Sequence, residues 1–167
     1  MKNPLPARLR DPLAAVGVPV AACGLALAGL TAWTAHGNAG SPSHIAVPEG
    51  HVFLRLGATP ETAAFFTLTN TGGSDDRLLS VTSPRAAVPP ALSRHRMTPS
   101  GAYRQPVTTA AVPAGEGLTM APTGIDVTVR PKGDWRAGEH IPFTLRFERA
   151  EPVTVSATVV RPGRNPA

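Results

Sequence analysis

Two runs late in the chain leave little freedom in what it can fold into. Phe143, Leu145 and Phe147 alternate with Thr144, Arg146 and Glu148, and Val153, Val155, Ala157 and Val159 alternate with Thr154, Ser156 and Thr158. Successive side chains of a strand point to opposite faces, so each run has one apolar and one polar face and must bury the apolar one against a second layer. From residue 51 onward, short strand-like segments recur roughly every ten residues with turn residues between them, the spacing of a sandwich or barrel. No segment of this region carries helical periodicity. The expected fold is therefore all-β, a sandwich of the cupredoxin-like or immunoglobulin-like kind.

The N-terminus follows a different rule. Residues 13–35 hold no charged side chain in 23 positions. As a helix rising about 1.5 Å per residue, that run is long enough for a hydrocarbon core of about 30 Å. Lys2, Arg8 and Arg10 precede it and should stay in the cytoplasm, sending all that follows to the outside. Three fates are open to the segment: a retained anchor, a cleaved signal peptide, or lipidation at Cys23 within Val20-Ala21-Ala22-Cys23. The anchor is favoured, since residues 24–30 stay apolar after the cysteine and bulky Trp33 disfavours a cut after Ala35. The expected organisation is a basic segment 1–12, the apolar helix 13–35, a flexible Gly/Ser/Pro spacer 36–50, a β-domain 51–161 and a tail 162–167.

Charge and cysteine content narrow the function. The chain has 16 Lys and Arg against 11 Asp and Glu, and beyond the apolar run 13 remain against 10. The arginines are scattered and no aromatic residues interleave with them, which argues against nucleic acid. Cys23 is the single cysteine and lies in the apolar run, so any metal held by the domain must use other ligands. No nucleophile is matched with a base, no carboxylates are spaced as a pair, and Thr71-Gly72-Gly73 ends a strand without opening a helix. Enzyme and phosphate-binding readings therefore find no support.

Within the β-region, Thr62–Asn70 and residues 77–82 flank a turn and read as a hairpin. Residues 92–97 read as a strand with Leu92, Arg94 and Arg96 on one face and Ser93, His95 and Met97 on the other. His51 and His140 sit at strand starts and read as solvated or capping residues. Asp126 reads as a solvated strand residue near Arg130.

Several segments resemble the PCu(A)C (PCuAC) family of extracytoplasmic copper(I) chaperones: Ala63-Ala64-Phe65-Phe66-Thr67-Leu68-Thr69-Asn70-Thr71-Gly72, then Asp75-Asp76-Arg77-Leu78, then His95-Arg96-Met97. Val112-Pro113-Ala114-Gly115 and the two closing strands are similar as well, and the likeness runs over about residues 45 to 160. The resemblance implies a cupredoxin-like sandwich that holds Cu(I) with His and Met side chains. It also implies a copper-donating or copper-receiving partner, such as a protein of respiratory oxidase assembly. Imidazole and thioether suit this soft ion, and neither forms disulfides in an oxidising compartment. The metal candidates are His95 and Met97, at i and i+2 of one strand, with Met120 as a further sulfur that by strand parity also reads as a core residue.

This chain departs from the family elsewhere. The following hairpin offers Tyr103 and Gln105 where the family has a Met, and the second His-x-Met motif is replaced by Asp126 and Thr128, whose oxygens are harder. Two functional readings follow. One is an extracytoplasmic copper-binding accessory protein, and the other is a membrane-anchored β-sandwich binding or scaffolding module that has lost its metal. A site shared between two chains would be a third arrangement of the same residues.

Overall fold

In the computed structural model, the described residues are 12–35, 40–98 and 101–163. They form two separate compact units, one ending at Gly40 and the other beginning at Ser41.

Among the described residues, the first unit holds one helix, α1 (Pro12–Ala35), with Pro19 inside it. Its segment Gly17–Ala35 is long and apolar enough to cross a membrane, and none of it is buried within the protein. Val18, Leu25, Leu27 and Trp33 stand fully outward. A helix with apolar residues on every side suits a lipid surrounding, and signal sequences share the property.

The second unit is all-β, with ten strands: β1 (Ile45–Phe53), β2 (Thr62–Asn70), β3 (Asp76–Thr82), β4 (Ala91–Thr98), β5 (Gly101–Pro106), β6 (Ala110–Val112), β7 (Gly117–Thr119), β8 (Ile125–Val129), β9 (His140–Phe147) and β10 (Val153–Val160). They make one curled sheet in the order β5-β4-β8-β2-β1-β10-β9-β3-β6, with β7 beside β2. All pairings are antiparallel except β1 with β10. The sheet folds over on itself as a sandwich around a core that includes Phe66, Leu68, Leu78, Val127, Phe143 and Leu145. Phe66 of β2 meets Phe143 of β9 edge-on at 5.4 Å between ring centroids, across the two halves. The alternation of β9 is realised with Ile141, Phe143, Leu145 and Phe147 all buried.

Three local expectations change. β2 and β3 are not a hairpin: β2 lies between β1 and β8, while β3 lies between β9 and β6. Both carry buried apolar residues, and residues 71–75 carry the chain from one half of the sandwich to the other. The spacer is shorter than 36–50, because β1 begins at Ile45 and residues 41–44 are already tied down. Ser41 Oγ accepts from the Gly73 N–H at 2.7 Å, and the Thr71 N–H donates to the His44 carbonyl at 3.0 Å. Gly72 is what admits this segment, since a Cβ there would lie 2.0 Å from the Pro42 carbonyl oxygen. His51 lies within β1 rather than at its start, stacked on Phe65 at 5.1 Å. Burial lowers its pKa, partly offset by the nearby charge of Glu49.

Two buried polar residues fasten this end of the domain. Asn70, 1% exposed, uses its whole amide: Oδ1 accepts from the N–H groups of His44 and Gly72, and Nδ2 donates to the carbonyls of Ser74 and Val112. Asp76 accepts from Ser43 Oγ and from the N–H groups of Arg77, Glu148, Arg149 and Ala150. It thereby ties the start of β1, the start of β3 and the β9–β10 turn to one carboxylate.

Candidate functional site

The backbone that carries the site is a three-stranded strip, β5-β4-β8. In β4 and β8, Ser93 stands opposite Asp126 and Ala91 opposite Thr128. In β4 and β5, His95 stands opposite Arg104 and Met97 opposite Ala102. Strand alternation then fixes which residues share a face. Ser93 and His95 are two apart, as are Asp126 and Thr128, so all four sit on one side, with Arg104 beside them.

Their side chains form a connected polar cluster. Asp126 is 1% exposed. Its Oδ1 accepts from Ser93 Oγ, and its Oδ2 lies 3.0 Å from His95 Nε2. Ser93 Oγ is also 3.1 Å from Thr128 Oγ1. Arg104 approaches with one guanidinium nitrogen 3.9 Å from Asp126 Oδ2 and the other 3.9 Å from Glu61 Oε2. Asp126 is thus neither solvated nor paired with Arg130. β8 lies between β4 and β2, and inside the sheet the carboxylate has to find its donors on the neighbouring strand.

The chemistry of the cluster follows from these contacts. A carboxylate accepts hydrogen bonds and does not donate them, so Nε2 is the nitrogen of His95 that carries the proton toward Asp126. In the neutral ring Nδ1 then keeps its lone pair. A buried carboxylate holding the far nitrogen of an imidazole is the arrangement by which proteins orient histidine ligands. The His95 side chain is 27% exposed, so the ring remains reachable from solvent.

The other sequence candidates are placed differently. Met97 lies in β4 two positions beyond His95, and its side chain lies outside the described residues. Met120 is 4% exposed and belongs to the apolar core, with its N–H bonded to the Phe66 carbonyl. Among the described residues, no three His, Cys, Asp or Glu side chains gather closely enough to hold a metal ion. Ser93 falls on the face shared with His95, as strand parity placed it, whereas Arg104 and Glu61 are cluster members that the sequence reading did not single out and that required the strand register.

Solved structures with this architecture include PCuAC domains. The copper-bound PCuAC domain from PmoF2 is 23% identical, with a TM-score of 0.59 over 73% of this chain and 97% of that one. The apo PCuAC domain from PmoF1 is 20% identical, with a TM-score of 0.60 over 72% and 97%. The copper(I) form of DR1885 from Deinococcus radiodurans is 25% identical, with a TM-score of 0.54 over 73% and 80%. The domain therefore has the cupredoxin-like PCuAC fold. More narrowly, residues 45–159 match the family model described as "Putative lipoprotein LpqE-like", and the chain belongs to this LpqE-like family. No curated protein matches the sequence.

Proposed function

We propose that the β-domain is an extracytoplasmic copper-binding accessory module, which holds Cu(I) through His95 Nδ1 and the Met97 sulfur and passes it to a partner protein. The observation that carries this reading is the 3.0 Å contact between His95 Nε2 and the buried Asp126 carboxylate, which leaves Nδ1 as the free donor. A nitrogen and a soft sulfur suit Cu(I), and a strand spaces residues i and i+2 about 7 Å apart, within reach of one ion through flexible side chains. Two ligands leave the ion open to attack by an incoming ligand, which favours transfer over storage. The copper-bound states of two PCuAC neighbours support the choice of metal.

The test is an anaerobic Cu(I) titration of the full chain in detergent, against a colorimetric chelator. One equivalent should bind, and His95→Ala and Met97→Ala should each abolish uptake. A wild-type chain that takes up no Cu(I) ends this reading.

A second reading is favoured by the way Ser93, His95 and, at longer range, Arg104 already satisfy Asp126 without a metal. On this view the domain is a metal-free binding or scaffolding module. Its melting temperature would then be indifferent to Cu(I), whereas a ligand bound to the native state alone must raise it.

For the N-terminus we favour a retained anchor, with the β-domain outside the membrane. The family description favours lipidation at Cys23 instead. The intact mass of membrane-extracted protein separates them: 17.3 kDa for the whole chain, or a shortened chain beginning at an acylated Cys23.

A further inference from the structure

Resting on the reading of His95 as a copper(I) ligand, we propose that Arg104 is a built-in electrostatic gate on that site, whose charge loosens the bound ion and speeds its release. His95 and Arg104 are direct cross-strand partners on β4 and β5, so both side chains stand on one face. The guanidinium approaches, at 3.9 Å, the same Asp126 oxygen that holds His95 at 3.0 Å. Its other arm faces Glu61, also at 3.9 Å. Both approaches are longer than hydrogen bonds and so are purely ionic. The side chains of Arg104 and Glu61 are 40% and 48% exposed, which leaves the guanidinium free to lean toward either carboxylate.

The two positions have opposite effects on a cation at His95. Leaning toward Asp126, Arg104 offsets the negative charge that makes the imidazole a better donor, and adds a positive charge near the ion. Leaning toward Glu61, it returns the Asp126 charge to His95. Unit charges about 7 Å apart at a partly exposed site, with an effective dielectric between about 40 and 80, change an equilibrium by about three- to sevenfold. A gate of that size suits a site that has to give its cargo up.

The experiment measures Cu(I) affinity, by chelator competition, and the rate of transfer to the chelator, by stopped flow, for the full chain in detergent. The variants are Arg104→Gln, Arg104→Lys and Glu61→Gln. Arg104→Gln should bind about three- to sevenfold more tightly and release more slowly, with the difference shrinking in high salt. Arg104→Lys, which keeps the charge, should stay within about twofold of wild type, and Glu61→Gln should bind more weakly because the guanidinium turns to Asp126. Equal affinities for wild type and Arg104→Gln would overturn the gate while leaving the copper reading intact. So would equal shifts in the Gln and Lys variants, since shape rather than charge would then be responsible. Uptake by neither wild type nor Arg104→Gln would end the copper reading and the gate with it. Uptake by Arg104→Gln alone would end the copper reading of the wild-type chain and overturn a gate that only loosens a bound ion. Thermal melting of each variant checks that the fold is retained.

Discussion

Asp76 and Asp126 are both removed from water, at 2% and 1% exposure, yet their partners differ in kind. Four of the five donors to Asp76 are backbone N–H groups, supplied by Arg77, Glu148, Arg149 and Ala150, with Ser43 as the fifth. The donors to Asp126 are all side chains: Ser93, His95 and, at longer range, Arg104. Backbone donors cannot leave without unfolding the turn, so the first carboxylate is a fastening. Side-chain donors can rotate, exchange or take up a different partner, so the second is a site. In this domain, burial alone does not separate framework from function; the nature of the donor does.

That contrast can be broken most easily at the fastening. Asp76→Ala should destabilise the domain by about 3 kcal/mol, since several charge-assisted bonds are lost and their N–H groups are left unpaired. Melting should fall by about 10 °C for a domain of this size. Asn70→Asp should cost nearly as much, about 2–3 kcal/mol, because it sets an acceptor against the Ser74 and Val112 carbonyls that now receive Nδ2. If either variant melts like wild type, backbone-satisfied residues are not the fastenings described here.

At the site the expected effects on stability are smaller. Asp126→Asn keeps an oxygen for Ser93 or His95 but not for both, and should cost about 1–2 kcal/mol by thermal melting. On the copper reading it should weaken Cu(I) binding about tenfold, the usual scale for losing the partner that orients a ligand. An Asp126 variant that loses as much stability as the Asp76 variant would erase the distinction.

The mildest test is acid. Burial by itself would raise the Asp76 carboxyl, but the bonds from Ser43 and from the Arg77, Ala150 and Arg149 N–H groups outweigh it and hold the pKa below the usual value. A group depressed in the folded state contributes in full above its unfolded pKa of about 3.9, and the contribution is lost as pH falls through the lower folded value. Wild type should therefore lose stability more steeply below about pH 4 than Asp76→Ala, in which that component is already gone. Parallel melting curves for the two proteins across that range would remove Asp76 as the cause.

Much of the framework was legible in the residues. The alternation at residues 143–147 and 153–159 appears as β9 and β10, and the family likeness over about residues 45 to 160 agrees with the matched span 45–159. What misled was locality. Residues 71–75 read as a hairpin turn, because turn residues announce a reversal of the chain without saying which sheet half receives the next strand. Residues 45–50 read as spacer, because Pro48 and Gly50 hide a strand that pairs with β2.

The site divides in the same way. Its position on β4 and the departure at Asp126 and Thr128 were legible as residue types at a spacing, since strand parity is a local property that the chain carries with it. Whether Asp126 met water or His95 depended on β8 lying inside the sheet beside β4, and Arg104 entered only through the β4–β5 register. The sequence by itself determined the strands, the apolar N-terminal helix and the presence of a histidine and a methionine two residues apart. Only the tertiary structure decided that a buried carboxylate holds the histidine and an arginine stands over it, because pairing between strands distant in sequence is settled by packing and not by any one segment.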